Sequence, residues 1–183
     1  MPAASTSNLR TRLNRTDEVA PASASTATLA PGQIHNHPWV SFGGETLALS
    51  INLAQNTCPT DTQVEDFHRI VQLYSAYTKT CLVSVTLPEY RFDVDKSNHS
   101  HVFFNLVTAI NQFTRLARCE VVFRMPNENF TQLTNACQFY RLNFKQWELF
   151  YKTGTQQVAQ VKVGSRIDRR LNSWFRVKVT GSL

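Results

Sequence analysis

The chain has 183 residues, of which 42% are hydrophobic and 17% charged, with a formal net charge of +6. No run approaches the roughly 20 apolar residues of a spanning helix, and the N-terminal MPAASTSNLRTRLNRT lacks the apolar stretch of a secretory signal. The expectation is therefore an intracellular protein, cytoplasmic or nuclear, with no membrane partner. Roughly 140 residues of foldable chain can bury about two-thirds of their unfolded surface, so the core requires neither a disulfide nor a metal.

In chain order, residues 1–38 are rich in Ala, Ser, Thr and Pro and poor in bulky apolar side chains. Such a segment cannot offset the entropy of ordering it, so it reads as a disordered, low-complexity arm ahead of a single domain over 39–183. Gly43-Gly44 signals a turn. Leu47, Leu49, Ile51 and Leu53 alternate as in a strand. Thr60 or Asp61 can cap a helix whose core stripe is Phe67, Ile70, Val71 and Tyr74. Cys81 to Leu87 is a second strand, ended by Pro88.

Residues 89–99 are polar and read as a loop; Ser100 then caps a helix that buries Phe103, Leu106, Val107, Ile110 and Phe113. Cys119 to Phe123 is a third strand. A third helix starts near Asn129 and uses Phe130, Leu133, Cys137 and Tyr140. Trp147 to Lys152 and Val158 to Val163 flank Thr153-Gly154-Thr155 as a hairpin. A short basic helix follows from Ser165, and Trp174 to Val179 reads as a last strand. The order β-α-β-α-β-α-β-β-α-β predicts a layered α/β sandwich. Its mixed sheet has parallel crossovers in the first half and an antiparallel hairpin and terminal strand at the end, packed with about three main helices.

Few patterns carry chemistry. The six glycines form no phosphate-binding loop, and Gly164 before the basic helix reads as a turn. The pairs His35/His37 and His99/His101 have the residue type for zinc but lack further ligands at workable spacing. Cys81, Cys119 and Cys137 fall on apolar stripes and read as buried thiols; Cys58 lies in a loop with no base beside it. Glu65/Asp66 fit a helix N-terminus. Asp93/Asp95 lack the glycine and late glutamate of a calcium loop. A hydrolytic site remains conceivable only in loops 54–62, 88–99 and 124–129, which hold Asp61, Asp93, Asp95, His99 and Glu128. The reading leans away from an enzyme, and no cofactor is expected.

The clearest hint is electrostatic. Residues 139–183 hold nine Lys and Arg against two Asp and Glu, whereas residues 1–138 hold ten against eleven. Arg166, Arg169 and Arg170 share a helix face, Arg176 and Lys178 share a face of the expected strand, and Trp174 lies between. Guanidinium groups beside an aromatic suit carboxylate or phosphate partners. The best expectation is a non-catalytic adaptor domain that contacts an acidic protein surface through Arg166, Arg169, Arg170, Trp174, Arg176 and Lys178. Nucleic acid through the same face is the alternative, and a small hydrolase-like enzyme the second alternative.

Overall fold

The computed structural model describes residues 37–54, 59–89, 93–127 and 130–178, with the side chains of 93–98 and 178 outside that description. The chain opens with a hairpin. Strand β1 (Val40–Gly43) runs antiparallel to β2 (Thr46–Asn52). The two-residue loop places Gly44 at φ 55° and Glu45 at φ 63°, the paired left-handed conformation that matches strand twist. Glu45, a poor residue for that region, is held from both ends. Its carbonyl accepts the N–H groups of Lys79 and Thr80, and its carboxylate meets Lys79 Nζ at 2.6 Å and Arg115 at 3.3 Å. The Lys79 hydrogen bond, ahead of the nearby cations, draws that carboxyl below its ordinary range.

Helix α1 (Asp61–Leu73) starts where the sequence places it. Thr60 accepts the Gln63 N–H while the Gln63 side chain accepts the Thr60 N–H, a reciprocal cap. Its buried stripe is Val64, Phe67, Ile70 and Val71, continued by Tyr74 just beyond its end. Strand β3 (Thr80–Thr86) leads to α2 (Asp93–Ile110), and β4 (Arg118–Met125) leads to α3 (Phe130–Leu133). A 3-10 helix (Thr134–Arg141) continues α3. Strand β5 (Trp147–Thr153), the short β6 (Ala159–Gln160) and α4 (Arg166–Lys178) complete the order.

Three expectations are corrected. Helix α2 begins at Asp93, so Asp93 and Asp95 lie on a first helical turn rather than in a loop, and Ser100 is inside the helix. The third helix is mostly 3-10: Leu133, Ala136, Phe139 and Leu142 are buried at a spacing of three, the repeat of that helix. The expected strand from Trp174 does not form, since Trp174 to Lys178 continue α4. Ile167, Leu171 and Phe175 recur every four residues along that helix, half-buried, fully buried and half-buried. That stripe outweighs the period-two alternation of Phe175, Val177 and Val179, because no Gly or Pro interrupts 165–178.

The fold is a six-stranded mixed sheet with the strands in chain order, β1 to β6. The four central strands are parallel and the two edges antiparallel. Because each crossover adds its strand on the same side of the last, right-handed connections place every helix on one face. The burial pattern agrees. Leu47, Leu49, Ile51, Cys81, Val83, Val85, Cys119, Val121 and Phe123 are all within 1% of full burial, whereas each residue between them on the same strands is at least partly exposed. Helix α1 packs against α2, α2 against the 3-10 helix, and the 3-10 helix against α4. Phe103, Phe123 and Phe139 join α2, β4 and the 3-10 helix, with ring centroids 5.6–6.2 Å apart. The described residues thus form a two-layer α/β sandwich, with their helices on one face of the sheet.

Candidate functional site on the last helix

Helix α4 is built to be held from beneath. Ser165 caps it by accepting the Asp168 N–H at 3.2 Å, and the Asp168 carboxylate accepts the Gly164 N–H at 2.8 Å. Gly164 sits at φ 76°, a conformation glycine adopts without strain. The other Asp168 oxygen accepts the Tyr140 hydroxyl at 2.6 Å, tying α4 to the 3-10 helix. Burial, and then the carboxylate beside it, push the Tyr140 hydroxyl well above its ordinary pKa. The Tyr140 ring packs edge-on to Trp147 at 5.4 Å and against Phe175 at 6.2 Å. Leu171 is fully buried below.

With its one acid turned inward, α4 turns its cations outward. At 100° per residue, Arg166, Arg169, Arg170, Ser173, Arg176 and Val177 fall within an arc of about 120° opposite Leu171, and every one of them is exposed. Among the described residues, no carboxylate lies within ion-pair distance of Arg166, Arg169 or Arg170. The Arg170 guanidinium instead lies over the Phe130 ring, 4.1 Å from its centroid, a stacking that fixes the group without neutralising it. Trp174 and Val177 are 37% and 47% exposed and add apolar surface beside the arginines.

Of the residues predicted from sequence, Arg166, Arg169, Arg170 and Arg176 are therefore brought onto one face. Trp174 borders it on the side of Ile167. The strand expected to carry Arg176 and Lys178 on one face is the end of a helix, and the side chain of Lys178 lies outside the described residues. Phe130 and Tyr140 are the contributors that sequence reasoning missed. Their sequence pattern places both in the core, and only the packing of α4 shows that they also seat the helix.

The remaining candidates separate. Cys81, Cys119 and Cys137 are buried and in no disulfide; a hydrogen bond with Cys119, with burial, pushes the Cys81 thiol up. His37 Nδ1 accepts the Trp39 N–H at 3.1 Å, and burial against Trp39 and Phe67 lowers the ring's pKa. His99 is buried and His101 exposed on α2, aimed apart as their spacing requires. Cys58, His35 and Glu128 lie outside the described residues. Among the described residues, no group of three or more His, Cys, Asp and Glu is placed to hold a metal. None of the helices described is long and apolar enough to cross a membrane.

A cavity of about 220 Å³ opens at the carboxyl ends of β4 and β5, lined by Met125, Phe130, Leu133, Tyr151, Thr153, Gln156 and Ile167. Its polar groups are the Thr153 hydroxyl, which donates to Gln156 Oε1 at 2.7 Å, and the Tyr151 phenol. Phe130 forms both a wall of this cavity and the seat of Arg170. Comparison of the chain with protein-family models, with curated proteins and with solved structures finds no match.

Proposed function

We propose that this protein is a non-catalytic binding domain whose α4 arginine face engages an acidic protein surface. The observation that carries this reading is the outward arc of Arg166, Arg169, Arg170 and Arg176 on a helix whose only acid, Asp168, is turned inward to Tyr140 and Gly164. Arginine forks pair with carboxylates two hydrogen bonds at a time, and a helix seated by a fully buried Leu171 presents them from a backbone that is already ordered. The apolar side chains of Trp174 and Val177 beside the cations favour a protein over a phosphate backbone, since protein interfaces combine arginine with apolar area.

The test uses two probes of similar charge: an acidic peptide containing bulky apolar residues, and a mixed-sequence oligonucleotide offered as single strand and as duplex. Fluorescence anisotropy should show the peptide binding more tightly, with only part of its affinity lost as salt rises, because apolar contacts are not screened. Tighter binding of the oligonucleotide, with a steep log-linear salt dependence, would transfer the same face to nucleic acid and overturn the protein-partner reading.

A further inference from the structure

Among the described residues, one face of the sheet carries no helix, which is anomalous for strands of this kind. Parallel strands come almost always from sheets covered on both faces, yet β2 to β5 are parallel and every helix described lies on one side. Beyond a first row of Thr46, Thr80 and Arg118, the register arranges the open face in three rows across the strands. One row is Ala48, Leu82, Glu120 and Glu148; the next is Ser50, Ser84, Val122 and Phe150; the third is Asn52, Thr86, Arg124 and Lys152. Along β4 and β5 acid fills the first of these three, base the last and apolar side chains the middle, with Arg118 beside the acids. Leu82 is 36% exposed, and Val122 and Phe150 are partly so.

We infer that this face pairs with the same face of a second copy about a two-fold axis running along the middle row. Rotation about that axis sets β4 over β4 and β5 over β5 with the strand directions reversed. Val122 and Phe150 then meet their own counterparts, Glu120 lies over Arg124 of the second copy, and Glu148 over its Lys152. The contact is self-complementary, as a closed dimer requires. Within its own chain Arg118 pairs with Glu120 and approaches Glu148 to 3.9 Å, and Gln160 donates to Glu148 at 2.9 Å, so the crossed pairs add to contacts these acids already make. At strand spacings of about 4.8 Å and rises of about 3.3 Å per residue, the face measures roughly 24 by 23 Å. That is the low end of stable interface sizes, so a dimer of micromolar affinity is expected. The α4 arginines are on the far side of the sheet, so one set points away from the dimer on each side.

Sedimentation equilibrium on the full chain tests this. The mass should rise from one chain toward two with concentration. Phe150→Lys should leave a folded monomer by circular dichroism. Lys152→Glu should weaken association about tenfold or more by setting like charges together, and Glu148→Lys combined with Lys152→Glu should restore it. A monomer at every concentration overturns the inference, as does a dimer indifferent to Phe150→Lys. A monomer in which a Phe150→Cys thiol resists alkylation overturns it too, by assigning the cover to a segment of the same chain.

Discussion

Helices α1 and α4 each have 13 residues and sit at opposite ends of one helical layer, yet they treat charge in opposite ways. Helix α1 exposes Asp61, Glu65 and Asp66, and its one arginine, Arg69, meets Asp66 at 3.0 Å. Helix α4 exposes Arg166, Arg169, Arg170 and Arg176, while its one acid faces Tyr140. Both are anchored by apolar stripes of the same kind, so stability does not require the difference. An outward helix face is free to vary once its inner face is seated, and in α4 that freedom has gone into like charges that oppose one another on a single helix. This is why the cations of α4, and not those of α1, carry the functional reading.

Six measurements break or sharpen the contrast, all read as urea unfolding free energies unless noted. Leu171→Ala should cost about 3 kcal/mol, since it empties the fully buried seat of α4; a change near zero would mean that α4 is not docked. Asp168→Ala should cost about 2 kcal/mol, through the lost cap partner and a half-buried hydroxyl left without its carboxylate. The same latch predicts a pH effect. The Tyr140 pKa is raised on folding, so its contribution is present below the unfolded value of about 10 and is lost as pH rises beyond it. Tyr140→Phe should flatten that alkaline slope. Thr60→Ala in α1 should cost about 1 kcal/mol by removing the reciprocal cap. Arg69→Ala should cost about 0.3 kcal/mol, because its partner is exposed and screened. Finally, Cys81, Cys119 and Cys137, all buried, should resist thiol reagents until the protein unfolds; rapid native labelling would contradict the packing.

The central strands and α1 were legible because their signals were local. Alternation at Leu47, Leu49 and Ile51 and the stripe Phe67, Ile70, Val71 each follow from one element's own period. The misreadings fall where two periods competed. Trp174 to Val179 alternate like a strand, but the stripe of Ile167, Leu171 and Phe175, packed against Tyr140 and the 3-10 helix, selects the helical period. The segment 134–141 shows apolar residues at both three and four, and the structure takes three. Charge asymmetry located the basic region, and its gathering on one face could have been read from Ile167, Leu171 and Phe175 as the inner stripe. The seating of Arg170 on Phe130, 40 residues away in sequence, has no local signature, and neither has the open sheet face, which depends on strand order.

The most direct test of the arginine face compares two double reversals with the same change in net charge, Arg169→Glu with Arg170→Glu on α4, and Lys145→Glu with Lys162→Glu elsewhere on the surface. The acidic-peptide affinity should fall tenfold or more, about 1.4 kcal/mol, in the first and change little in the second. Equal losses in both would reduce the effect to overall charge and contradict a site on α4.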